Sequence, residues 1–198
     1  FAEVTGSTLP YEQVVQALAG SNGKRDVWAD APAADVTAAI NSVAAEALAD
    51  QGIGVIRLKR DGQGRWQRQP GPEDRRITGL AGLDDPERRL RATGPASAVF
   101  RLAQRQGHDD GLGDRIIGTF ANCAGGTTPW GTVLSAEENF QSQVPEDVYA
   151  DGSAMAPSAR PFTCQAKRLY GLGNPFGLAG NKYGWMVEID PANPGDPG

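Results

Sequence analysis

Past residue 50, every apolar run in this chain is cut off within a few residues by glycine, proline or asparagine, and that punctuation limits it to short elements joined by many turns. With 26 glycines and 14 prolines in 198 residues, turns must be frequent, yet the composition stays short of low-complexity sequence. The runs IGVIRLKR (53–60), RIIGTF (115–120), WGTVL (130–134) and YGWMVEID (183–190) have strand length, so the expected class is mainly β. In the first run Ile56 and Leu58 alternate with Arg57 and Lys59, DGQG turns the chain, and RWQRQ returns antiparallel. That spacing predicts a hairpin. The stretches 83–98 and 141–182 are polar, longer than hairpin loops, and read as surface excursions. No repeat of fixed period is visible, so periodicity alone does not show a propeller.

The first fifty residues follow a helical period instead. YEQVVQAL is a short candidate helix. Residues 32–49 place Val36, Ile40, Val43, Ala44, Ala47 and Leu48 on one face, with Pro32 suited to the first turn and Gly52 to a C-terminal cap.

Nineteen basic against 24 acidic side chains give a net charge of −5, which offers no attraction to nucleic acid or to an anionic membrane. No run of eighteen apolar residues predicts a membrane-spanning helix, and no basic-then-apolar leader opens the chain. The chain starts at Phe1, holds only Met155 and Met186 as methionines, and ends in PANPGDPG. A piece of a longer protein, with sequence missing at both ends, is the expectation.

A single histidine, His108, excludes zinc sites built on two or three imidazoles, so any metal must use carboxylates, carbonyls or thiolates. A histidine-activated nucleophile would depend wholly on His108, set in QGHDDGLGD. Cys123 and Cys164 either close a loop of about forty residues as a disulfide or both stay reduced.

The chemistry concentrates in NCAGGTTPWGTVLSAEENF (122–140): a cysteine, a Gly-Gly turn, Pro129 and Trp130, a strand, then adjacent acids. Two readings stand open. In one, Cys123 is a small buried hydrophobe, Trp130 is core, and Glu137 with Glu138 is a solvated strand end. In the other, Cys123 is a thiolate ligand whose level in the sheet matches that of the acids. Adjacent glutamates point to opposite faces, so only one shares the cysteine's side unless a bulge intervenes. In YGWMVEIDP, Glu188 and Asp190 are spaced to share a face, where like charges must be solvated, protonated or neutralised by a cation. The flank Trp185, Met186, Val187 and Ile189 suggests a strand packed on both sides, which favours the cation. Thiolate with oxygen ligands suits iron or zinc; oxygen ligands alone suit calcium or magnesium.

Three further motifs are weaker. GLGNPFGLAG (171–180) lacks dinucleotide-loop spacing, and Pro175 obstructs the helix such a loop needs. DDGLGD (109–114) lacks the spacing of an EF-hand loop and reads as a solvated turn. Arg75 and Arg76 in EDRRITG could hold a phosphate or form surface ion pairs.

The 122–140 segment resembles the signature of the PhoX-type bacterial alkaline phosphatases. GIGVIRLKRDGQGRW, DRRITG, the TGPA at 93–96 and YGWMVEIDP are similar, in order, to pieces flanking that signature, so the resemblance spans roughly residues 50–191. It implies part of a six-bladed β-propeller over 51–198, with residues 1–50 as a helical excursion. It also implies export to the periplasm or beyond, a monomer, and hydrolysis of phosphate monoesters at a centre of iron and calcium. Carried over by position, Cys123 matches an iron-binding cysteine, Glu188 a metal-binding glutamate, and Glu137–Glu138 acids near the centre. The mechanism implied is metal-assisted hydrolysis, with cations stabilising charge on the phosphoryl oxygens. An upstream asparagine-histidine-glutamate segment frequent in the family is absent, and Gln51-Gly52 stands where the family often has histidine-glycine. Further ligand positions fall beyond Gly198, so this chain alone should hold only part of the metal shell. The alternative function is a secreted propeller serving as a binding or structural module without catalysis.

Overall fold

The computed structural model of the protein describes residues 34–95, 97–157, 163–165 and 168–198. In chain order the elements are α1 (Ala34–Asp50), β1 (Gly52–Val55), β2 (Leu58–Arg60), β3 (Trp66–Arg68), β4 (Arg75–Thr78), β5 (Leu90–Arg91), α2 (Ser97–Arg101), β6 (Arg115–Ile116), β7 (Asn122–Thr127), β8 (Val133–Glu137), β9 (Thr163–Gln165), β10 (Arg168–Tyr170) and β11 (Met186–Ile189). The expected class is met: mainly β with few helices. The YEQVVQAL helix and Pro32 lie outside the described residues.

Helix α1 forms where the apolar spacing predicts it, and Ile40, Val43, Ala44, Ala47 and Leu48 are all buried. Its last turn carries no basic residue, leaving terminal carbonyls without a charged partner of their own. Arg76 from β4 supplies one, its Nη2 donating to the carbonyls of Ala49 at 3.2 Å and Asp50 at 2.9 Å. Gly52 follows at φ +113°, where any side chain would collide with the Ile77 carbonyl as β1 pairs with β4.

The main core joins α1 to Ile117, Phe120, Val144, Leu172, Leu178 and Tyr183. Phe120 and Tyr183 stack with ring centroids 4.5 Å apart, and the Tyr183 hydroxyl donates to the Ile117 carbonyl at 2.7 Å. A second core of Ile77, Ala81, Leu90 and Ile189 ties β4, β5 and β11 together, with Ile53, Val55, Ile116 and Val187 packed around it. The stretches expected to be surface excursions are therefore partly core. Val144, Leu172, Leu178 and, from the first stretch, Leu90 are sparse apolar residues in polar sequence that folding collects from far apart. GLGNPFGLAG belongs here too, burying Leu172, Leu178 and Ala179.

All sheets among the described residues are antiparallel. Four have two strands (β1–β4, β2–β3, β5–β6, β9–β10), and one has three, in the order β11-β8-β7. None closes on itself. The hairpin β2–β3 forms as expected, its turn fixed by Asp61 Oδ1, which accepts from the amides of Gln63 and Arg65 at 2.9 Å each. The apolar face expected on it is not buried. The strand predicted over 53–60 breaks after Val55, and Ile56 and Leu58 are 55% and 45% exposed, because among the described residues β2 and β3 form a two-stranded ribbon outside both apolar cores.

Candidate metal centre

The three-stranded sheet carries the acids and the cysteine. Strands β7 and β8 pair in register from Thr127↔Val133 to Ala124↔Ala136, then slip, so that Asn122 faces Glu137 and Cys123 is the extra, bulged residue. The bulge is the device the sequence reading left open, and it decides which glutamate meets the thiol. Cys123 is a free, exposed thiol with the Glu138 carboxylate as its charged neighbour. That carboxylate's attraction for the thiol proton, and then its negative charge, push the thiol's pKa up. The reading of Cys123 as a buried hydrophobe is corrected, and no disulfide engages it.

Glu137 points the other way. Its Oε1 accepts from the Thr119 hydroxyl at 2.7 Å, and its Oε2 accepts from the amides of Gly184 at 2.8 Å and Trp185 at 3.3 Å. Burial pushes this carboxyl's pKa up, opposed by the bonds from Thr119, Gly184, Trp185 and the Phe120 amide. Thus Glu138 meets Cys123, while Glu137 is taken up by internal donors. Glu137 is no solvated strand end, because β8 ends against buried Thr119 and the chain entering β11.

Glu188 sits on β11 opposite Leu134, which in turn faces Gly126 on β7. On ideal sheet spacings its backbone is roughly 13 Å from that of Cys123, so the two do not meet directly. Its Oε1 accepts from Trp130 Nε1 at 2.8 Å and from the Thr132 hydroxyl, and these bonds, Thr132 first, hold the carboxyl below the usual range. The turn between β7 and β8 aims both donors. Thr128 Oγ1 accepts from the Thr132 amide at 3.0 Å, and Gly131 takes φ +97°.

Trp130, read as core in one alternative, is 72% exposed and serves Glu188 instead. Asp190 lies one residue past the end of β11 at Ile189 and lines the same cavity as Glu188. Asp190 heads a turn in which its Oδ1 accepts from the Ala192 amide at 2.9 Å. Nor is β11 packed on both sides. It is an edge strand among the described residues, with Trp185 and Met186 exposed and Ile189 buried.

The remaining candidates are occupied elsewhere. Arg76 caps α1, and Arg75 Nη2 donates to the Asp190 carbonyl at 2.6 Å, tying β4 to the end of β11. In DDGLGD, Asp110 is not solvated: it forms a buried ion pair with Lys182. His108 donates its amide to the Ala154 carbonyl at 2.7 Å and clips two loops together. Thr119, Thr132 and Asn122 were not singled out in the sequence. Only Thr132, two residues after Trp130 at strand spacing, left a signal there.

The donor set suits iron and calcium in kind. A thiol beside a carboxylate is chemistry that iron accepts, and exposed carboxylates suit calcium. One further acceptor supports the fit: Asn122 Oδ1, adjacent to Cys123, is buried without a hydrogen-bond partner among the described residues. The set is also incomplete, for no three histidine, cysteine, aspartate or glutamate side chains converge among the described residues.

Comparison with known proteins bears on the whole region. The family described as alkaline phosphatase PhoX matches residues 24–197. A solved structure of Pseudomonas fluorescens PhoX in complex with vanadate, a transition state analogue, is similar at 33% identity with a TM-score of 0.53. The similarity covers 78% of this chain and 26% of that one, so this chain spans about a quarter of that protein's length. No curated protein matches. The matched span contains all the described strands, the Cys123 bulge and the three glutamates, and the chain belongs to the PhoX family of alkaline phosphatases.

Proposed function

We propose that this chain supplies part of the active centre of a phosphatase that hydrolyses phosphate monoesters with the help of iron and calcium. The observation that carries the reading is the bulge that leaves the Cys123 thiol unpaired and exposed at the end of β8, where Glu138 is also exposed, inside the segment most like the family signature. Cys123 and Glu138 would hold iron, and Glu188 would hold calcium. Bound there, the cations would supply positive charge for phosphoryl oxygens and lower the pKa of an oxygen nucleophile, with no histidine needed.

The chain's own residues do the positioning. Trp130 and Thr132 fix Glu188 in its ionised form, with both bonds on Oε1. The bulge turns Cys123 out of the alternation of β7, and Glu137 engages the interior while Glu138 stays at the surface. We further read the small antiparallel sheets as parts of propeller blades in a domain over 51–198. The three-stranded sheet is one strand short of a four-stranded blade, with α1 as part of a helical excursion that precedes it in the chain. The family resemblance supports a monomer exported to the periplasm or secreted. Among the described residues no helix is long and apolar enough to cross a membrane.

The test uses the protein that carries this chain, assayed on p-nitrophenyl phosphate with elemental analysis alongside. Cys123→Ala should remove iron and lower activity by more than the roughly 10–100-fold typical of outer-sphere partners. Glu188→Gln should lower bound calcium. An active, iron-containing Cys123→Ala variant overturns the assignment; an unaltered parent free of iron and activity leaves the propeller as a binding or structural module.

A further inference from the structure

We propose that the β7–β8 turn is a clamp for Glu188, with Thr128 as its distant positioning residue: acting through Thr132, the Thr128 hydroxyl helps to hold the carboxylate by Oε1 and leaves Oε2 open to a cation. The inference rests on the reading of Glu188 as a calcium ligand. One arm of its test needs no metal.

The turn is closed from several sides. The Thr128 amide donates to the Thr132 carbonyl at 2.9 Å, the Gly131 amide to the Thr128 carbonyl at 3.1 Å, and the Thr132 amide to Thr128 Oγ1 at 3.0 Å. Within these closures the Pro129 ring restricts φ, and Gly131 takes φ +97°, a form that a side chain would oppose. A loop so fixed sets the direction of the Trp130 and Thr132 side chains. Thr132 lies two residues before Leu134, the cross-strand partner of Glu188, so strand alternation puts it on the glutamate's face.

Each proton in the clamp has one destination. An indole N–H only donates and an ionised carboxylate only accepts, so Trp130 Nε1 gives to Glu188 Oε1 at 2.8 Å. The Thr132 hydroxyl gives its single proton to the same oxygen. Its own oxygen can then only accept, and the Thr128 hydroxyl lies 2.7 Å away to supply the proton. Thr128 Oγ1 accepts in turn from the Thr132 amide, which closes the relay. Glu188 is exposed, where a glutamate left alone samples many rotamers, and among the described residues its Oε2 makes no hydrogen bond. The clamp therefore orders the carboxylate before a cation arrives and keeps one oxygen for it.

The first arm of the experiment measures amide hydrogen exchange by mass spectrometry on the protein that carries this chain, with calcium removed by EGTA. A turn that holds Glu188 is equally held by it. Glu188→Ala should therefore speed exchange in the peptide spanning 128–133 several-fold, whereas Thr132→Ser, which keeps the hydroxyl, should leave it unaltered. The second arm measures calcium binding by equilibrium dialysis. Thr132→Val should weaken it by about tenfold, as loss of an outer-sphere partner does, while Thr132→Ser should bind as the unaltered protein does. Thr128→Val should also weaken binding, yet add nothing in the double variant with Thr132→Val, because its effect passes through that hydroxyl.

Exchange that Glu188→Ala leaves unchanged overturns the clamp, whatever the metal does. Where Glu188→Gln itself weakens calcium binding, Thr132→Val and Thr132→Ser proteins of equal affinity overturn it too. So does a Thr128→Val loss that adds in the double variant, since Thr128 would then brace the turn alone. Should Thr132→Val fail to fold, Trp130→Phe removes the other donor and should weaken binding in the same sense; an unchanged affinity there counts equally against the proposal. The calcium reading fails differently: Glu188→Gln would bind calcium in full, and the exchange arm would judge the clamp by itself.

Discussion

Lys182 and Asp110 pair inside the protein. The ammonium lies 2.6 Å from Oδ2 and 2.9 Å from Oδ1 of the carboxylate, and donates also to the Arg115 carbonyl at 2.9 Å. Only 4% and 7% of the two side chains reach solvent. Burial pulls the lysine's pKa down, and the hydrogen bond and charge of Asp110 oppose that pull. A pair so buried is costly to break from one side, because the survivor is left as a charge without a partner.

Lys182→Met should therefore destabilise the protein by about 3–5 kcal/mol in denaturant unfolding. Adding Asp110→Asn to it should recover part of that loss, since the stranded carboxylate is gone. A single-variant loss below about 1 kcal/mol would contradict the burial on which the argument rests.

Arg76 gives a second prediction, because its guanidinium completes the C-terminus of α1 from a neighbouring strand. Arg76→Ala should cost about 0.5–1 kcal/mol, the scale of a cation at a helix C-terminus, and should leave inhibition of the parent enzyme by inorganic phosphate unchanged. Weakened phosphate inhibition with full stability would return Arg76 to the role of an anion ligand.

What the sequence made legible was whatever depends on local period. The five buried residues of α1 and the β2–β3 hairpin follow from spacing and turn chemistry, and both form. That a bulge beside Cys123 would decide which glutamate meets it was also visible, because adjacent glutamates point to opposite faces of a regular strand. The bulge's direction was not, since that depends on Thr119, Gly184 and Trp185 converging on Glu137 from across the sheet. Val144, Leu172 and Leu178 were hidden for the same reason. Each is one apolar residue in a polar stretch, and only the tertiary fold makes a core of them. Trp130 misled as core because an exposed tryptophan is uncommon. Its partner is a carboxylate 58 residues away, outside any periodic pattern.

Asp151 carries a pH prediction. The Ser153 hydroxyl, the Gln106 amide and the Ser153 amide all bond its carboxylate, and together they lower its pKa from 3.8 to about 2. The folded state thus prefers the ionised form more strongly than the unfolded chain does. The stabilisation is fully present above 3.8 and is lost as the pH falls through about 2. Thermal midpoints of the unaltered protein and of Asp151→Asn should differ by a constant amount above about pH 5 and converge between 3.8 and about 2. A difference that persists at the acid end would mean that the asparagine disturbs the loop for reasons other than charge.

Ala121 stores strain one turn of chain away from the thiol. At φ +56° its Cβ crowds the backbone, at a cost of about 1–2 kcal/mol, whereas glycine adopts that conformation freely and loses roughly 0.5–1 kcal/mol in added freedom of the unfolded chain. Ala121→Gly should therefore leave the protein more stable by about 0.5–1 kcal/mol in denaturant unfolding. The Ala121 carbonyl accepts the Glu138 amide at 2.8 Å, so the same substitution widens the conformations open to the segment that places Glu138. On the proposed assignment of Cys123 and Glu138 as iron ligands, the metal should then be released faster to a chelator, even as the fold resists denaturant better. A variant both less stable and slower to release iron would show that the left-handed backbone at Ala121 is not the strain that the φ angle indicates.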